Sequence, residues 1–135
     1  MVPTYYVESF GPPILNLKRS DLCDIALGFS GLRIAVGLGE DEFGNDRFVE
    51  IVFKAPRGFR YLDEGDLLPY WDSKAFDTSR YLVFEIKSGG WIAQEEQHGM
   101  LNVTSAVGTY REWFVASSNA CLNVISVDGP LVRFL

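Results

Sequence analysis

Apolar and polar residues alternate with period two through most of the chain, the pattern of strands buried on one face. Cys23, Ile25, Leu27 and Phe29 alternate with Asp24, Ala26 and Gly28. Leu32, Ile34, Val36 and Leu38 alternate with Arg33, Ala35 and Gly37. Ser30-Gly31 separates the two runs and suits a tight hairpin. The second face of that hairpin is small, with Ala26, Gly28, Ala35 and Gly37, so another layer or a ligand can approach its backbone. Val49, Ile51 and Phe53 form a third strand, which Ala55-Pro56 ends because proline donates no ladder hydrogen bond. Leu82, Phe84 and Ile86 form another, and Ser88-Gly89-Gly90 turns into a further extended run, Trp91-Ile92-Ala93-Gln94-Glu95. YREWFVAS at 110–117 and CLNVISV at 121–127 read as an antiparallel pair, followed by a short last strand at Leu131–Phe134.

Helix is scarce in this pattern. The block Arg57–Trp71, RGFRYLDEGDLLPYW, holds the clearest candidate, Asp63–Trp71. Asp63 suits an N-cap, Glu64 and Asp66 suit the positive end of the helix dipole, and Pro69 limits the helix to a turn or two. Arg60 is placed to pair with Asp63 or Asp66 and lock the connection. A weaker helix signal covers Leu15–Leu22, after Pro12-Pro13. The expected fold is mainly β, all-β or α+β. It is a single domain over 1–135, an antiparallel β-sandwich or barrel-like curled sheet with one short helix.

Composition narrows the function classes. With 135 residues, 47% of them hydrophobic, the chain is long enough for a real core. Twelve basic against eighteen acidic residues give a net charge of −6, which argues against nucleic acid bound through its phosphates and suits a basic protein partner. No apolar run reaches the roughly 20 residues of a membrane span, and the N-terminus lacks the features of a secretory signal, so the expected location is cytoplasmic. Cys23 and Cys121 each sit in an apolar run and are expected in the core as reduced thiols; a disulfide across neighbouring strands is the alternative.

No catalytic set stands out. His98, the one histidine, lies in a loop sequence far from either cysteine. Gly37-Leu38-Gly39 is followed by acids that would repel pyrophosphate. Neither a cofactor nor a metal site is expected. The acidic turn with Glu40, Asp41, Glu42 and Asp46 lacks the spacing of a calcium loop. Three readings follow. In the first, the chain is a non-enzymatic protein-binding protein whose Glu40, Asp41, Glu42, Asp46, Asp63, Glu64 and Asp66 face a basic partner, with Tyr70 and Trp71 as anchors if exposed. In the second, it is a small-molecule-binding β-barrel with a cavity lined by residues such as Trp91, Trp113 and Phe84. In the third, it is a hydrolase built on clustered carboxylates such as Asp63, Glu64 and Asp66. The oligomeric state is not encoded in any pattern here.

The motif order GFRYLDEGDLLPYW, then SGGW at 88–91, then REWFVASSNACLNVIS at 111–126 resembles small bacterial proteins associated with the immunity proteins of polymorphic toxin systems. The resemblance spans about residues 48–130 and brings no functional residues with it. It implies a cytoplasmic single domain that neutralises a toxin domain of the same cell by occlusion.

Overall fold

The computed structural model describes residues 4–15, 17 and 19–135. Nine strands form two antiparallel sheets: β1 (Tyr6–Phe10), β2 (Asp21–Gly28), β3 (Gly31–Glu40), β4 (Asp46–Phe53), β5 (Gly58–Asp63), β6 (Val83–Ser88), β7 (Arg111–Ala116), β8 (Ala120–Ser126) and β9 (Leu131–Phe134). The five-stranded sheet has the order β1-β6-β7-β8-β5 and the four-stranded sheet the order β2-β3-β4-β9. The protein is a β-sandwich, as its alternation predicts.

The core between the sheets follows from that alternation. Leu32, Ile34, Val36, Val49, Ile51 and Phe53 of the smaller sheet meet Val83, Trp113, Val115, Leu122 and Val124 of the larger. A second apolar cluster lies on the opposite face of the five-stranded sheet. There Phe84, Phe114 and Cys121 pack under Leu67, Tyr70 and Phe76. Both faces of the larger sheet are therefore buried, so β7 and β8 read as nearly continuous apolar runs.

The second half of the Arg57–Trp71 block, Glu64–Trp71, covers that second face; its first half is the edge strand β5, which the sequence pattern did not predict. Asp63 caps a 3₁₀ turn, Glu64–Leu67, by accepting from the Gly65 N–H at 2.8 Å, and α1 (Leu68–Asp72) continues from it. Pro69 sits in the first turn of α1, where its missing N–H costs nothing.

Three expectations change. First, Trp91-Ile92-Ala93-Gln94-Glu95 is not strand but α2 (Trp91–Gln97), and a further helix, α3 (Asn102–Val107), follows it. Gly89 at φ +88° turns the chain out of β6, and the Glu112 carboxylate accepts from the first amides of α2. Second, Cys23 is exposed, not core. A β-bulge between Leu22 and Asp24 lets both Leu22 and Ile25 face inward and turns Cys23 out; Cys121 is buried, and both thiols are free. Third, Arg60 bonds neither Asp63 nor Asp66; it donates to its cross-strand neighbour Asn123 on β8. The helix expected over Leu15–Leu22 falls partly outside the described residues, and from Asp21 the chain is strand.

Candidate binding surface

Four connections meet at one end of the molecule: β1–β2, β3–β4, β5–β6 and β7–β8. Ser20 and Ser118 tie the first to the last, each backbone N–H donating to the other's hydroxyl at 3.1 Å. Residues of the β1–β2 connection line clefts on both sides of it. Leu15 and Arg19 stand beside Glu40, Asp41 and Glu42, while Leu17 and Ser20 stand beside Glu64 and Trp71. The acids singled out in sequence are thus brought to one end. Asp21, Glu40, Asp41, Glu42, Asp46, Asp63, Glu64, Asp66, Asp72 and Asp77 stand in or beside these connections, ten of the eighteen acids. Only four described bases stand with them, Arg19, Arg47, Lys74 and Arg80. Arg19 and Arg80 pair with Asp21 and Asp77. Among the described residues Glu40, Glu42, Asp46 and Asp66 make no ion pair, so their field projects outward.

The β3–β4 hairpin is the most built part of this end. Asp41 Oδ1 accepts from the backbone N–H groups of Phe43 at 2.8 Å and Asn45 at 2.9 Å, and the Asp41 N–H donates to the Asn45 carbonyl at 2.7 Å. These bonds, led by the one from Asn45, hold the Asp41 carboxyl below its usual range. Gly44 supplies the positive φ of the turn, +80°. Arg47 anchors the hairpin from behind, donating to the Leu38 carbonyl at 3.1 Å. The result presents Phe43, 80% exposed, at the tip, with Glu40, Glu42 and Asp46 also exposed on the hairpin.

The sequence-predicted residues therefore divide. Glu40, Glu42, Asp46 and Asp66 are outward-facing. Asp41 and Asp63 each spend a carboxylate oxygen on their own turn. Glu64 is half-buried, and its backbone carbonyl accepts from the Trp71 indole at 2.8 Å. Tyr70, 2% exposed, and half-buried Trp71 pack with Phe76 and Phe114, so Tyr70 is not the exposed anchor expected of it. Sequence reasoning missed Phe43, whose signal was a lone aromatic between Glu42 and Gly44 in an acidic turn.

A second constellation is buried beneath α2. Glu112, 3% exposed, accepts from the Trp91 N–H and Asn123 Nδ2, both at 2.8 Å, and from the Ile92 N–H at 2.9 Å. Asn123 also donates to the Tyr70 hydroxyl at 3.2 Å and accepts from Arg60 at 2.9 Å. The Arg60 guanidinium lies over the Trp91 ring, 5.5 Å from its centroid. Burial raises the Glu112 pKa against the opposing pull of those donors. Burial first, and then the Glu112 charge, push the Tyr70 hydroxyl up to about 12. Arg57 donates to the Thr104 hydroxyl at 3.3 Å. Both arginines of the block thus hold the β6–β7 excursion down, and every Glu112 bond is structural.

The remaining chemistry is dispersed. Burial pushes the Cys121 thiol up to about 12, which suppresses the thiolate, and His98 belongs to the β6–β7 connection at the opposite end. Glu85 lines a cleft of about 310 Å³ with Glu112 but is paired to Arg111 at 2.7 Å and Lys87 at 3.1 Å. Trp113 and Phe84 point to opposite faces of the five-stranded sheet, so they line no common cavity. No group of three or more metal-ligating side chains occurs among the described residues. None of their helices is long and apolar enough to cross a membrane. Comparison with protein families, curated proteins and solved structures finds no match.

Proposed function

We propose that this chain is a non-enzymatic protein-binding protein that receives a basic partner on its acidic end. The best concrete version is a cytoplasmic immunity protein that occludes a toxin domain. One observation carries the reading: Phe43 stands exposed on a hairpin fixed by Asp41, among the exposed acids Glu40, Glu42 and Asp46. An exposed aromatic with a rigid backbone loses little entropy on docking, and the surrounding acids steer a basic surface to it. In the cleft beside α2 the carboxylates of Glu85 and Glu112 are already held by Arg111, Lys87 and the first amides of that helix, which supports binding over catalysis there. The resemblance to toxin-immunity proteins points the same way.

The test is calorimetric titration with the product of the adjacent gene. Phe43→Ala is expected to weaken binding at least about 30-fold, the loss of an aromatic hot spot of about 2 kcal/mol. Glu42→Lys is expected to slow association and reduce its salt dependence. Binding that ignores both substitutions and is insensitive to salt would exclude this surface.

A further inference from the structure

The second surface with unassigned character is the outer face of the four-stranded sheet. Its inner side is the core, yet no described element covers its outer side. The register places three rows across it. One runs Asp24–Ala35–Glu50–Arg133, the next Ala26–Arg33–Val52–Leu131, and the third Asp21–Gly37–Phe48. The bulge at Cys23 puts that thiol on the same face, with its Sγ over Gly37.

The charges on this face are balanced. Glu50 is 8% exposed because Arg33 and Arg133 close over it from both neighbouring strands. Arg33 also reaches Asp24 at 3.4 Å. Asp21, in the third row opposite Gly37, is paired with Arg19, so three acids, Asp21, Asp24 and Glu50, are matched by Arg19, Arg33 and Arg133 on a molecule of net charge −6, and two copies can meet here without net repulsion. The arrangement is also polar from side to side, with Asp24 on edge strand β2 and Arg133 on edge strand β9. A two-fold axis lying between the faces and parallel to the strands sets β2 of one copy over β9 of the other. Each Asp24 then faces an Arg133, twice. The exposed Leu131 and Phe48 and half-buried Val52 supply apolar contact, and the small residues permit close approach.

We propose that this neutral outer face is a homodimer interface in which two sheets stack about a two-fold axis, leaving the acidic end of each copy free. Four strands at about 4.8 Å spacing and roughly 25 Å length give about 1,000 Å² over both copies, at the low end for a specific interface. The dimer is therefore weak and reversible, visible at protein concentrations of about 10–500 µM.

Sedimentation equilibrium tests this on the whole chain with no partner present, so its outcome is independent of the acidic-end reading. Asp24→Lys and Arg133→Glu each place like charges at both cross-copy contacts and are expected to weaken the dimer at least about tenfold. Mixing the two variants restores opposite charges at both contacts and is expected to recover a heterodimer. Thermal melts confirm that each variant is folded. In the unmodified protein, alkylation of exposed Cys23 is expected to slow as concentration rises, with buried Cys121 as the internal reference. A chain that stays monomeric throughout, or a dimer unaffected by either variant and not rescued by mixing, overturns the proposal. So does Cys23 protection that appears only when a different protein is added.

Discussion

Glu112 shows how one side chain links sequence segments that share no pattern. It sits on β7, accepts from the start of α2, and through Asn123 touches Arg60 and Tyr70 from the block that precedes β6. Gly90 is required beside it, because a Cβ there would fall on the Glu112 carboxylate. Glu112→Gln offers a single carbonyl acceptor where three N–H donors converge, so urea unfolding should show a loss of about 1–3 kcal/mol at neutral pH. The pH trend has a definite sign. Burial raises the folded-state pKa, so the Glu112 contribution is fully present below the unfolded carboxyl value and is lost as pH rises through the folded value. As pH rises above the ordinary carboxyl value the wild type should therefore lose stability relative to Glu112→Gln. The opposite trend would mean that the hydrogen bonds outweigh burial. Glu85, held below its usual range by Arg111, has the reverse sign: its contribution is lost as pH falls through its lowered folded value.

At the scale of elements, periodicity was a sound guide where a strand had one buried face and a poor one where a carboxylate or a bulge intervened. In the β2–β3 hairpin the β3 row follows its alternation, but of the β2 row Cys23, Ile25, Leu27 and Phe29 only Ile25 packs on the core: the bulge turns Cys23 out, Leu27 is exposed at the sheet edge, and Phe29 lies exposed in the turn Phe29-Ser30, as Gly28 pairs with Gly31. Trp91–Glu95 carries apolar residues that read equally as strand or helix. What decides for helix is Glu112, twenty residues away in the chain, accepting from its first amides. The bulge at Cys23 is likewise invisible to a period-two reading, because it shifts the phase to bring both Leu22 and Ile25 inward. The hairpin gives a controlled test of backbone demands. Gly31 has φ +101° and no room for a Cβ against the Phe53 carbonyl, whereas Gly28 opposite it has open space. Gly31→Ala should cost on the order of 1–3 kcal/mol in chemical denaturation, and Gly28→Ala should be close to neutral. Equal effects would refute this account of the turn.

For the whole molecule, the net charge of −6 is not spread evenly. The end where four connections meet holds ten acids against four described bases, while elsewhere the charges form groups such as Arg33–Glu50–Arg133 and Lys87–Glu85–Arg111. Unpaired like charges at one end repel, and salt screens them over about 10 Å at 0.1 M. Raising ionic strength from about 20 mM to about 500 mM should therefore raise the melting temperature; a fall would show that the paired groups dominate instead. The β class, most strand positions and the capped helix of the Arg57–Trp71 block were legible in the sequence, since alternation and capping are local. The acids of the candidate surface were legible as residues, but Phe43 was missed and the gathering of the acids was not legible. Separate turns share an end only because the strand order and the Ser20–Ser118 tie bring them there. The sequence by itself determined which faces had to be buried and how much charge had to be carried. Only the tertiary structure decided where Tyr70 and Glu112 are hidden, and which acids remain free. Those outcomes depend on contacts between residues far apart in the chain, which no local period encodes.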